Sequence, residues 1–224
     1  MLDILVALVL LIVLSPLMIP IVIALLLTGE HYVFYKQYRI GYKNQKFKIW
    51  KFATMLKASP SLGTGSLTLR NDPRVLPMGK FLRKTKINEL PQIINVLIGD
   101  MSIVGPRPLM EVDFDKFPNE IKDKIYNARP GITGIGSIIF RDEEKWMSEA
   151  GGDPHQFDKE VIAPYKGALE IWYQDNLSFI TDVKLVFCTI WVIMFTNSTL
   201  PYKLLKDLPQ RPDKLNKGGN KEKM

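Results

Sequence analysis

Cysteine is all but absent: one residue, Cys188, in 224. An internal disulfide is excluded. The apolar setting of Cys188 marks it as a small packed hydrophobe, in a chain whose soluble part suits a reducing, cytoplasmic compartment. Long apolar runs are scarce as well. Only Met1–Leu27 reaches the ~20 residues that span a bilayer as a helix, which excludes a many-span membrane protein. With 46% apolar and 24% charged residues, a disordered chain is excluded too. The N-terminal run lacks a basic leader and a small-residue cleavage site, so it is not a cleaved signal peptide. Acidic residues are missing from His31–Lys57, where seven Lys or Arg stand alone. A second stretch, Lys203–Met224, has seven basic and three acidic residues within a net charge of +7. Such runs are either solvated faces or attractors of anionic lipid headgroups, and their position after apolar segments points to headgroups. No recognition motif for nucleic acid accompanies them, so nucleic acid is not an expected partner.

What is present starts with Met1–Leu27, whose one charged side chain is Asp3. Ser15-Pro16 lies mid-run and Pro20 follows. Proline removes a donor and kinks a helix, and the Ser15 hydroxyl is placed to satisfy the local backbone. The basic flank after Leu27 is cytoplasmic by the positive-inside rule. The expected form is a helix that re-enters the cytoplasmic face. A true span and a buried core helix are the alternatives.

Residues 32–57 alternate in places, as in Phe47-Lys48-Ile49-Trp50-Lys51-Phe52, and predict short strands at a membrane surface joined through Gly41. Pro60–Asn71, rich in Ser, Gly and Thr, reads as a loop: a closing lid or a plain connector. From Arg74 to Ile98 a helical spacing runs through Leu82, Ile87, Leu90, Ile94 and Leu97. Pro91 forces a kink or restart near Asn88-Glu89, which makes that polar pair a candidate reactive position. Gly105-Pro106-Arg107-Pro108 holds an Arg on stiff backbone. Its planar fork suits phosphate, with an ordinary surface Arg as the alternative. Arg129–Gly134 repeats the theme. Residues 140–165 read as polar and irregular, 160–175 as a helix. Leu185–Phe195 is too short to span and reads as a core or interface helix. From Pro209 on, the composition predicts disorder.

The run Arg83–Pro108, RKTKINELPQIINVLIGDMSIVGPRP, resembles the signature of the bacterial sugar transferases, the monotopic phosphoglycosyl transferases. Ser15-Pro16 resembles that family's helix-break dipeptide. Gln37–Gly41, Lys46–Met55, Asn71–Arg74, Arg129–Gly134 and Tyr173–Asp182 resemble further blocks in the same order, so the likeness covers about residues 10–195. The resemblance implies an α+β, mostly helical monotopic membrane protein with a re-entrant helix, short strands and amphipathic interface helices. Its expected units are a membrane helix (1–28), a transferase domain (29–200) and a basic, disordered tail (201–224). It implies transfer of a sugar 1-phosphate from a UDP-sugar to polyprenol (undecaprenyl) phosphate with release of UMP. The expected place is the cytoplasmic face of the bacterial inner membrane, among its lipids, with Mg2+ as the metal; a homo-oligomer is left open.

In the family an Asp-Glu pair precedes Leu-Pro-Gln, and the Asp is the nucleophile. Here that position is Asn88, and an amide is a poor nucleophile and a weak metal ligand. Three accounts stand: an engineered Asp→Asn variant, a natural variant relying on Glu89, or direct displacement with Glu89 orienting the lipid phosphate. Ala53 also departs from the usual Arg, so the divergence is not confined to one site. The candidate residues are Glu89 and Asn88 for catalysis, and Arg83, Arg107 and Arg129 for substrate phosphate. Glu89 and Asp100, with Asp72 as a further carboxylate, are candidates for metal.

Overall fold

The apolar N-terminal run folds as one helix, α1 (Leu2–Leu27), in the computed structural model, which describes residues 2–62, 68, 71–149, 153–196 and 198–216. Both prolines lie inside it. Pro16 lacks the N–H that would bond the Ile12 carbonyl, and the Ser15 hydroxyl donates to that oxygen instead, at 2.8 Å. One stripe of α1 (Ala7, Met18, Ile21, Leu25) is buried against the rest of the chain, and most of its other apolar residues are exposed. By length and composition α1 can cross a membrane. Both of its ends are tied to the same body: Ser102 donates to Asp3 (2.8 Å), and Leu25 shares a buried cluster with Phe52 and Leu82.

Strands β1 (Phe34–Ile40) and β2 (Lys46–Phe52) form an antiparallel hairpin, Tyr35 opposite Lys51 and Arg39 opposite Phe47. The period of two sorts the side chains. Tyr35, Gln37 and Arg39 turn inward, whereas Lys36 and Tyr38 face out, where Lys36 sits 3.5 Å over the Trp50 ring. Helix α2 (Pro77–Lys84) starts three residues later than the spacing predicts. Residues 72–74 are folded on themselves, with Arg74 N and Nε both donating to Asp72. The run then breaks at Lys86, whose φ of 60 is left-handed, makes a short turn over Ile87–Glu89 and restarts as α3 (Gln92–Leu97). The restart beside Pro91 is the predicted one.

Strands β3 (Ser102–Val104) and β4 (Gly131–Thr133) pair in parallel, with α4 (Glu111–Phe114) and α5 (Asn119–Ile125) between them in sequence. The chain continues through α6 (Ile135–Ile139), α7 (Glu143–Glu149), α8 (Pro154–Phe157) and a π-helical turn over Asp158–Ile162. It then forms α9 (Ala163–Asp175) and α10 (Phe179–Met194), and ends in α11 (Leu200–Leu204) and α12 (Asp213–Asn216). The main core joins Ile135, Ile162, Leu169, Leu185 and Cys188, all fully buried. Each such aliphatic side chain contributes about 1.5–3 kcal/mol by leaving water. The protein is mostly helical with a few short strands.

Two expectations are corrected. Residues 140–165 are largely helical, not irregular, because Met147, Val161 and Ile162 supply a buried face and Asp153 caps α8 through the His155 N–H. Residues 201–216 are not a disordered tail. Leu205 and Leu215 are buried in the main core, Trp172 donates to the Lys206 carbonyl, and Arg211 lies 4.7 Å over the Trp146 ring. Those few apolar anchors were hidden in a Lys- and Pro-rich composition. Most of the 60–71 loop, the Gly151-Gly152 turn and residues 217–224 lie outside the described residues.

Candidate active site

The hairpin, the Ile87–Glu89 turn and the Gly105–Pro108 turn line one cavity of about 580 Å3. The last turn is set by the parallel strand pair. Gly105 N donates to Thr133 O (2.9 Å) and Gly131 N to Pro106 O (3.0 Å). A Cβ at Gly105 would strike the Arg129 carbonyl, so the backbones approach this closely only with glycine.

Arg107 is held through both its backbone and its guanidinium. Its N–H donates to Glu170 Oε1 (3.2 Å), and its carbonyl accepts from the Tyr126 hydroxyl (2.8 Å), which in turn accepts from Leu109 N (2.9 Å). Its guanidinium donates to Ser137 Oγ (3.3 Å) and faces Glu89 Oε1 at 3.6 Å. Glu89 Oε1 also takes the Lys51 ammonium at 2.8 Å. Burial opposes ionisation of Glu89, but Lys51, Arg107 and Lys86 outweigh it and hold the carboxyl well below the usual carboxylate range. Burial pulls Lys51 down to about 8 against the attraction of Glu89, and it also lowers Lys86. Burial, and then the like charge of Arg107, brings Arg39 down to about 10. Its Nη2 donates to Gln37 Oε1 (2.7 Å), and its Nε is buried without a partner.

The charge count decides what this centre attracts. Three cations, Lys51, Arg107 and Lys86, act on the one Glu89 carboxylate, and Arg39 and Arg107 repel each other beside it. Elsewhere on the wall the cations have partners. Arg83 pairs with Glu144, Lys166 with Glu143 (2.5 Å), and Lys116 with Asp113 and Asp158. The excess at Glu89 suits a polyanion such as a diphosphate, which charge-assisted hydrogen bonds bind best. Asn88 is buried beside it, and its Oδ1 has no partner.

The bacterial sugar transferase model matches residues 1–196. The chain belongs to the bacterial sugar transferase family. Among its relatives, the uncharacterized sugar transferase EpsL of Bacillus subtilis is 35% identical, over 70% of this chain and 68% of its own length. The UDP-glucose:undecaprenyl-phosphate glucose-1-phosphate transferase of Escherichia coli is 34% identical over 84% of this chain. The UDP-N-acetylgalactosamine-undecaprenyl-phosphate N-acetylgalactosaminephosphotransferase of Aeromonas hydrophila is 36% identical over 86%. This chain spans 38% and 42% of those two longer relatives.

Of the candidate residues, the sugar transferase fold brings Asn88, Glu89, Arg83 and Arg107 to the cavity wall. It does not bring Arg129, which is exposed, its guanidinium 5.6 Å from the Tyr42 ring; only its backbone packs on the Gly105 turn. Nor does it bring Asp100, which sits past the far end of α3 with Oδ2 3.4 Å from Asn95 Nδ2. Asp72 is engaged by Arg74, at 2.6 Å from Nη2. Among the described residues no three His, Cys, Asp or Glu side chains gather as a metal site. The sequence reading missed Lys51, Arg39, Lys86 and Glu170 as site residues. The strand alternation carried a signal for the first two, since Lys51 shares a face with buried Ile49. Glu170 carried none: it is an acid inside the apolar stretch of α9, brought to Arg107 only by packing.

Proposed function

We propose that this chain moves a sugar 1-phosphate from a UDP-sugar to polyprenol phosphate, releasing UMP, at the cytoplasmic face of a bacterial inner membrane. The observation that carries the reading is the excess of cations, Lys51, Lys86 and Arg107, around the Glu89 carboxylate on the cavity wall. The printed names of the Escherichia coli and Aeromonas hydrophila relatives support the substrates. The exposed apolar faces of α1 and α10 supply a membrane-facing surface, with Phe179, Ile180, Val183 and Phe187 on the second. The contacts of both ends of α1 with one body, a hydrogen bond at Asp3 and packing at Leu25, support a helix that enters and leaves on one side of the bilayer.

The reaction proceeds by direct displacement. An oxygen of polyprenol phosphate forms a bond to the β-phosphorus of the UDP-sugar, and the bond from that phosphorus to the bridging oxygen breaks, UMP keeping the electron pair. Arg107, Lys51 and Lys86 neutralise the phosphates and align them. Glu89 positions these cations. Asn88, an amide, forms no phosphoryl adduct. The orphaned Oδ1 of Asn88 and the Glu89 carboxylate are two hard oxygen donors, which fits Mg2+, an ion that usually takes one or two carboxylates and the rest from phosphate and water. Bound there, Mg2+ would supply further neutralisation of the diphosphate.

The test is UMP release by purified protein with Mg2+, undecaprenyl phosphate and a panel of UDP-sugars. Turnover is expected with at least one sugar, and Glu89→Gln is expected to remove it. Intact mass after UDP-sugar alone is expected to show no phosphosugar adduct on the wild type and an adduct on Asn88→Asp. A wild-type adduct would overturn direct displacement. The specific observation behind a second reading, a non-catalytic scaffold, is Asn88 itself; UMP release only in Asn88→Asp would establish that reading. For topology, Leu2→Cys should be labelled only from the cytoplasmic side, against a low background because Cys188 is buried.

A further inference from the structure

Part of the cavity wall has no use in phosphate chemistry. Ile103 of β3 and Ile132 of β4 lie on it, flanked by Leu10 and Leu14 of α1 and by Ile190 and Ile193 of α10. Helix α1 packs on β3, and α10 packs on β3 and β4. Ile103 belongs to the clusters on both sides, so the strand pair floors a trough whose two walls are the two lipid-facing helices. None of the six side chains is fully buried. Two polar groups nearby are already satisfied: Thr189 donates to the Leu185 carbonyl, and Thr133 and Thr189 bond each other at 2.5 Å.

Aliphatic side chains facing water in a cleft cost about 25 cal/mol per Å2, a cost that an apolar occupant removes. Continuity says which occupant. From Ile103 the chain leaves β3 and passes through the Gly105 turn to Arg107, four residues and at most about 14 Å of chain. The cation cluster and the trough are therefore two ends of one cavity, anionic-ligand chemistry at one end and hydrocarbon chemistry at the other. A nucleotide sugar fits the first end only. An isoprenoid phosphate fits both.

We propose that the trough between α1 and α10, floored by Ile103 and Ile132, holds the first isoprene units of the polyprenyl acceptor and so presents its phosphate to Arg107. The assignment rests on the acceptor reading given above. It makes α1 part of the acceptor site and not only an anchor.

Leu14→Trp and Ile190→Trp fill the trough from opposite walls. Each is expected to raise KM for undecaprenyl phosphate by about tenfold or more, the scale of a lost methylene-sized fit in an apolar pocket, with KM for the UDP-sugar unchanged. Undecaprenyl phosphate with a diazirine in its first isoprene unit should label the peptides carrying Leu10–Leu14 and Ile190–Ile193 in the wild type. Excess phosphatidylglycerol should not suppress that labelling. Unchanged KM values in folded variants would overturn the trough. So would labels confined to the outer face of α1, or labelling lost to phosphatidylglycerol, which marks an ordinary lipid as the occupant. Labelling needs no turnover. A wild type that labels in the trough but releases no UMP would sink the functional reading and leave the trough standing.

Discussion

At the residue scale the centre depends on cations kept charged in a buried place. Lys51 gives the sharpest test. Its folded pKa, about 8, lies below its ordinary 10.5, so the unfolded chain binds the extra proton between those values. Stability should therefore rise as pH goes from about 8 to 10.5, and below that window buried Lys51 is a net cost. Phosphate binding should move the other way. KM for the UDP-sugar is expected to climb above about pH 8 as Lys51 loses its charge, and Lys51→Arg should push that limb to higher pH. A KM that stays flat to pH 10 would refute the role of Lys51. Glu170 has the opposite shift. Burial raises its carboxyl to about 7 against Arg107 and Lys166, from an ordinary 4.5. Its contribution to stability is full below 4.5 and lost as pH rises through 7. Glu170→Gln should remove that slope while keeping an acceptor for Arg107 N–H. Glu170→Ala, which leaves the N–H unmet beside Gly136, should lower kcat by about tenfold or more, the scale of one lost buried hydrogen bond. Rescue by Gln separates positioning of Arg107 from charge. Equal loss in both variants would make the carboxylate charge the operative feature.

At the element scale, the sequence is most readable where structure is local. The hairpin came from alternation, the restart of α3 from Pro91, and the Ser15 device from the proline that follows it. That device has a direct test. Ser15→Ala leaves the Ile12 carbonyl without its donor, in or near lipid, and should destabilise α1 by about 1 kcal/mol. Faster proteolysis near the helix middle in vesicles would show it, and unchanged protection would mean that water or lipid serves the carbonyl equally well. What could not be read is what packing assembles. Glu170 meets Arg107 across 63 residues, and Tyr126 grips both flanks of the turn from the end of α5. Arg129 and Asp100 sat in motif-like strings, but a string does not say which way a side chain points. The Gly105–Arg129 contact is made by backbone, so the side chain of Arg129 is free to lie on Tyr42. The Lys86 turn shows the same limit from the other side. Its left-handed φ, 60, aims Asn88 and Glu89 at the cavity, and no residue in INE signals it.

At the scale of the whole molecule, the proposed membrane attachment would draw on charge and apolar surface together. The net charge of +7 is not spread evenly. The outer face of the hairpin carries Lys36 and Lys48, each over an aromatic ring, Trp50 at 3.5 Å and Tyr38 at 5.0 Å. Such pairs keep a long cation and an amphipathic ring at one level, as an interface between headgroups and water requires. The hairpin follows α1 after a short link, so under the proposed membrane reading this face is expected at the headgroup layer. A Lys near an anionic surface contributes about 1 kcal/mol, so reversing two of them should weaken partition into phosphatidylglycerol vesicles by about tenfold or more. Lys36→Glu with Lys48→Glu is the variant to measure, in a flotation assay, against neutral phosphatidylcholine vesicles. The wild-type preference for anionic vesicles should shrink with added salt, because the screening length falls from about 10 Å at 0.1 M to about 3 Å at 1 M. Binding to neutral vesicles, which rests on the exposed faces of α1 and α10, should be the same in wild type and variant at every salt concentration. If the variant loses both kinds of binding equally, the hairpin face holds the fold of the interface and not its charge. If it loses neither, α1 and α10 carry the attachment alone, and the basic residues of the outer face are solvated.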